Sequence, residues 1–155
     1  VVGFRFHHKN GESSIEDVMF VFESKTKFSA STVNRLQNAI NDSAKDHIRI
    51  DESLNFIKQK LYEYREINQA KKIERFQNPV DIPFKENYGA AAIISSDFFD
   101  VEELTSSDCN KIPTTAKSKE YTPHPNHGNL KLLVIRGANM MQLVHELYRR
   151  AADEA

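Results

Sequence analysis

Glu23 and Lys25, in the stretch Val18-Met19-Phe20-Val21-Phe22-Glu23-Ser24-Lys25, are the residues whose types and spacing point most directly to chemistry. In a strand, residues two apart project from one face, so this carboxylate and this ammonium would stand side by side at the end of an apolar element. Two charges placed there cost free energy unless they pair or bind something. Metal-dependent phosphodiester hydrolysis uses such a pair: the acid holds a Mg²⁺, and the lysine orients a water or offsets developing charge. It is the only Asp/Glu-x-Lys in the sequence, yet with 28% charged residues one is expected often by chance. A solvated ion pair at a strand end is the competing description. The context favours a site, because strand formers precede Glu23 and the pattern after Lys25 turns helical, a strand-to-helix edge of the kind where sites in mixed folds lie.

A metal site of this kind needs a second acid. Asp17 shares the face of Glu23 but stands six residues away, roughly 20 Å along a strand, too far to share an ion. If His7 or His8 opposes Asp17 or Val18 in a hairpin, Val2 lies across from Glu23, and none of residues 1 to 8 is acidic. The expected aspartate then falls immediately upstream of Val1. The chain opens Val-Val-Gly-Phe, already in strand pattern and without methionine, so residues 1–155 read as one domain, the C-terminal part of a larger chain.

The elements that must position the pair follow from periodicity. Val1 to His7 alternates as a strand, Asn10-Gly11 is a turn signal, and Val18 to Lys25 is the second strand of a hairpin. Ser29 or Ser31 can cap a helix with Val33, Leu36 and Ile40 at helical spacing, ending near Asp46. Asp51 caps a longer helix with Leu54, Ile57, Leu61 and Tyr64 as its buried stripe; Asn78-Pro79 stops whatever helix persists that far. Tyr88 to Ser95 and Leu130 to Ile135 read as buried strands, Ser96 to Gly128 as a long polar excursion. A last helix begins near Asn139, with Met141, Val144, Leu147 and Tyr148 inward. The order β-β-α-α-β-β-α describes an α/β sheet layered by helices.

Composition narrows the classes. A 39% hydrophobic content supports a core, and twenty-two acidic against twenty-one basic residues leave no global field to attract nucleic acid. Any contact with DNA would use a local basic face or a partner's surface. The lone Cys109 cannot form an internal disulfide, and with no membrane-length apolar run the expected setting is the reducing cytoplasm. Asn41-Asp42-Ser43 is then an accidental glycosylation match. His124-Pro125-Asn126-His127 and His7-His8 lack the spacing and scaffold of a metal site and read as loop and strand-end histidines. No phosphate-binding glycine loop, dinucleotide fingerprint or Gly-x-Ser-x-Gly occurs.

A strand, a turn, an apolar strand ending in Glu-x-Lys, then a helix and further strands resembles the core of the PD-(D/E)xK nuclease superfamily, a restriction-endonuclease-like mixed sheet flanked by helices. In more detail, Phe22-Glu23-Ser24-Lys25, the helix after it, Tyr88-Gly89 opening an apolar strand, and Leu130 to Ile135 leading to Leu147-Tyr148-Arg149-Arg150 resemble the HamA family, nuclease subunits of Hachiman antiphage defence. The resemblance implies a DNase using Mg²⁺, with Mn²⁺ as an alternative, and a helicase-like ATPase partner that restrains it until foreign DNA is sensed. Glu23 matches the metal-binding acid, Lys25 the catalytic lysine, and Ser24 the position whose main-chain carbonyl completes the metal shell. Lys27 is a candidate phosphate contact. Asn34 and Gln37, about a turn apart, either face the scissile phosphate or form a solvent-facing helix edge. The leading aspartate of the motif is absent from these residues. The alternatives are a nuclease-like docking module without chemistry, or an adaptor presenting the Asp51 helix as a partner surface.

Overall fold

The computed structural model describes residues 1–8, 12–99 and 124–153. Its sheet has the order β1-β2-β3-β4, with β1 Val2–Arg5, β2 Val18–Lys27, β3 Lys85–Ser95 and β4 Leu130–Gly137. β1 is antiparallel to β2, whereas β2, β3 and β4 are parallel. The helices are α1 Arg35–Ile48, α2 Ile50–Glu63, α3 Ile67–Glu74 and α4 Met140–Asp153. Among the described residues this is the expected mixed α/β architecture, with one more α-helix than the periodicity indicated.

α1 packs across β2 and β3. Its Leu36, Ala39 and Ile40 join Met19, Val21, Tyr88, Ala90, Ala92 and Ile94 in the core. Burying Leu36 and Ile40 contributes roughly 1.5–3 kcal/mol each. β3 supplies only Cβ atoms at Ala90 and Ala92, beside Glu23 and Lys25 in the register, so the helix can approach closely and the two charged side chains have room. On the opposite sheet face Phe22 lies over Gly89, where a Cβ would come 2.4 Å from the Phe22 ring. That face keeps Phe20, Leu133 and Ile135 exposed.

Three expectations are corrected. First, β1 ends at Arg5 and pairs Val2 with Val21, two residues away from the expected alignment of Val2 with Glu23. Asp17 is the cause: its carboxylate accepts the His7 amide at 2.6 Å and the Ser14 amide at 2.8 Å, so His7 bonds a side chain and leaves the ladder. Val1 exchanges main-chain bonds with Phe22, at 2.8 and 2.9 Å.

Second, the helix from Asp51 does not persist: it begins at Ile50, after Arg49, and stops at Glu63. Arg65 adopts φ 62°, the Glu66 amide bonds the Leu61 carbonyl at 2.8 Å, and the Arg65 amide bonds that of Tyr62 at 3.0 Å. This is a Schellman termination with arginine where glycine is usual, which hid it from the sequence. Leu54 is fully buried, and Ile57 and Leu61 pack on the core, whereas Tyr64 is exposed. The apolar stripe of α2 is therefore core, not the partner surface an adaptor would need.

Third, the expected inner side of α4 is exposed at Met141, Leu147 and Tyr148. The helix is anchored at its start, where Met140 is buried and a Cβ on Gly137 would come 2.6 Å from the Met140 sulfur. Among the described residues no helix is long and apolar enough to cross a membrane. Cys109 lies outside the described residues, as does most of the Ser96 to Gly128 excursion.

Candidate active site

Alternation along β2 places Glu23 and Lys25 on the face that carries buried Val21 and is covered by α1. The Lys25 ammonium lies 2.8 Å from Glu23 Oε1 and 2.6 Å from Asp42 Oδ2 on α1. Asp42 Oδ1 receives Lys45 at 2.8 Å. The hydrogen bonds that Lys25 donates to Asp42 and Glu23 raise its pKa above its ordinary value against a smaller opposing effect of burial, and those donated by Lys25 and Lys45 hold the Asp42 carboxyl below its own. One turn further along α1, burial and then the negative charge of Glu23 push the Asp46 carboxyl up, with Asp42 adding to the effect. Two carboxylates thus hold the Lys25 ammonium, and the negative charge of Glu23 is also felt at Asp46.

Oxygen-only donors of this kind suit a hard divalent cation, and Glu23 is the donor at the strand end. Among the described residues no group of three or more His, Cys, Asp or Glu is arranged to hold a metal. The main-chain groups of Phe22 bond Val1, so by strand alternation the Ser24 carbonyl turns to the same side, away from β3. Asp42 and Asp46 were missed from sequence. Their signal is an i, i+4 acidic pair beside the buried Leu36, Ile40, Ser43 stripe, directly after the Glu-x-Lys strand.

The other sequence candidates are placed elsewhere. Lys27 shares the face of Lys25 but is only 6% exposed, so its ammonium is not presented on an open surface. Asn34 is the N-cap of α1, the role assigned to Ser29 or Ser31, its Oδ1 accepting the Gln37 amide at 2.9 Å. The Gln37 side chain donates to Asn41 Oδ1 at 3.0 Å. These contacts account for both residues as parts of the first turns of α1. Asp17, set aside as a metal ligand, is 1% exposed and pairs with Arg75, itself 7% exposed. Burial opposes its ionisation, but the His7 and Ser14 amides and Arg75 outweigh it and hold the carboxyl below its ordinary range.

His124 is buried, with both ring nitrogens engaged. Nδ1 accepts the Asn126 amide at 3.0 Å, so Nε2 carries the proton and donates to Ser43 Oγ at 3.2 Å. A histidine in that tautomer takes no proton from the serine, so the pair ties the start of the β4 approach to α1 and is no nucleophile. Beside it, Tyr88 donates to Glu86 at 2.9 Å and contacts His47 Nδ1 at 2.6 Å. Burial, then Glu86, push the Tyr88 phenol well up, so it stays neutral. Two clefts, of about 720 Å³ beside Lys71, Lys72 and Arg75 and about 410 Å³ beside Glu86 and Asn126, do not include Glu23, Lys25 or Asp42.

No curated protein matches the chain, and no solved structure does. The HamA family model matches residues 1–151, nearly the whole length, including β2 with Glu23 and Lys25, α1 with Asp42, and all four strands of the sheet. The chain belongs to the HamA family.

Proposed function

We propose that this chain is a metal-dependent DNA nuclease of PD-(D/E)xK type, the effector of a Hachiman antiphage defence complex. Membership of the HamA family suggests the role in defence. The observation that carries the chemistry is Lys25, held at 2.8 Å from Glu23 and 2.6 Å from Asp42 on the α1 side of β2. In this reading Glu23 and the Ser24 carbonyl bind Mg²⁺ or Mn²⁺, with a further acid outside these residues. The ion supplies Lewis-acid stabilisation of charge on the phosphate and a water of lowered pKa. Lys25 orients the attacking water and offsets charge building on the phosphoryl oxygens. DNA is the substrate, a helicase-like ATPase the controlling partner, and the cytoplasm the setting.

The experiment is Mg²⁺-dependent cleavage by the full-length protein with its partner. Glu23→Ala is expected to abolish cutting while the thermal unfolding midpoint barely moves, because the residue is partly exposed and a charge removed there seldom costs more than about 0.5 kcal/mol. Cleavage at the wild-type rate after this change would sink the assignment. A wild-type protein that cuts nothing would favour a docking module.

A further inference from the structure

The two partners of Lys25 are not equivalent. Glu23 is two residues away on the same strand, whereas Asp42 reaches over from α1. The second Asp42 oxygen is held by Lys45 at 2.8 Å, which leaves Oδ2 turned to Lys25 at 2.6 Å. A divalent ion taken up by Glu23 repels an ammonium from the same carboxylate. Lys25 would then lose its strand partner at the moment its charge is needed, and a lysine head on a flexible four-carbon stem does not stay in place unaided.

We propose that Asp42 is a positioning residue, braced by Lys45, that keeps the Lys25 ammonium at the end of β2 while Glu23 binds the metal. The inference rests on the nuclease reading above and adds to it a role for α1. Asp42 touches neither substrate nor ion in this scheme; it acts through Lys25. Placement by α1 also makes the catalytic charge depend on the helix staying seated on Ala90 and Ala92, which flank Glu23 and Lys25 in the register.

The test uses the full-length protein with ¹⁵N-labelled lysine side chains, Mn²⁺ titration by calorimetry, and cleavage kinetics. An ordered ammonium gives a resolved signal that is lost when the group becomes free to rotate and exchange. Asp42→Asn is expected to lose the Lys25 signal, and Glu23→Gln to keep it. Asp42→Asn should lower the cleavage rate at saturating DNA by about tenfold to a hundredfold, with KM little changed. Its Mn²⁺ affinity should stay within about threefold, since no ligand is removed. Asp42→Glu should restore part of the rate. Lys45 is exposed, so Lys45→Met folds regardless and should weaken the signal and the rate in the same direction. A Lys25 signal that persists in both Asp42→Asn and Lys45→Met overturns the proposal. So does an Mn²⁺ affinity reduced more than about tenfold in Asp42→Asn, which would make Asp42 a ligand. If the wild type cuts no DNA with Mn²⁺, the nuclease reading fails, and the ammonium signal alone decides whether Asp42 holds Lys25.

Discussion

A lysine clasped by two carboxylates works as a fixed positive charge and not as a base. The hydrogen bonds to Asp42 and Glu23 push the Lys25 pKa up, so the group stays protonated around neutral pH. Its contribution is therefore electrostatic. Lys25→Met keeps most of the stem and removes the charge, and the cleavage rate should fall at least about a hundredfold, the scale of losing one preorganised group. DNA affinity should change far less, as a filter-binding titration would report; equal losses in rate and affinity would reduce Lys25 to a phosphate contact. Glu23 and Lys25 were legible in the sequence because a strand's period of two fixes which residues share a face. Asp42 and Asp46 were not, because which helix residues meet a strand depends on how Leu36, Ala39 and Ile40 seat α1 on the sheet. For the same reason the sequence left Asn34 and Gln37 open between facing the scissile phosphate and forming a solvent-facing helix edge. Their polar character serves the start of α1, and spacing alone does not separate a cap from a ligand contact.

At the scale of elements, the β1–β2 hairpin is set by one buried ion pair. Asp17 gathers His7, Ser14 and Arg75, while Arg75 also reaches the Glu12 carbonyl and lies against the rings of Phe6 and Phe76. Asp17→Asn leaves a buried guanidinium without its counter-charge and should cost about 3–5 kcal/mol at neutral pH. The pH dependence has a definite sign. Because the folded carboxyl lies below its ordinary value, its contribution is fully present above about pH 4 and is lost as pH falls through the folded pKa. Urea unfolding should therefore show the gap between wild type and Asp17→Asn narrowing in acid; a gap that stays constant with pH would contradict the account. The strands and the apolar face of α1 were readable from alternation and helical spacing, whereas the exposure of Leu132, Leu133 and Ile135 on β4, expected to be buried, was not. The hairpin register and the α2–α3 break were not, since one depends on a long-range pair with Arg75 and the other on an arginine in a left-handed conformation.

For the whole molecule, charge and surface bear on how the proposed nuclease would be controlled. A net charge of -1 gives the chain little long-range attraction to DNA, so engagement with the substrate should depend on a second protein. Among the described residues Phe20, Leu133 and Ile135 on one sheet face and Leu143 and Leu147 on α4 are exposed, apolar surface of the kind a partner can cover. An enzyme able to cut the host chromosome also has to be restrained until a trigger arrives. The full-length protein is expected to co-purify with a helicase-like ATPase from the same defence system, and its DNA degradation should require that partner's ATP hydrolysis or DNA binding. Size-exclusion chromatography of the co-expressed pair, followed by cleavage assays with and without ATP, checks both halves. If the protein elutes alone and cuts DNA constitutively with Mg²⁺, control by a partner is wrong although the nuclease survives. If it elutes with the ATPase and Glu23→Ala silences the complex without dissolving it, assembly and chemistry reside in separate parts of one chain.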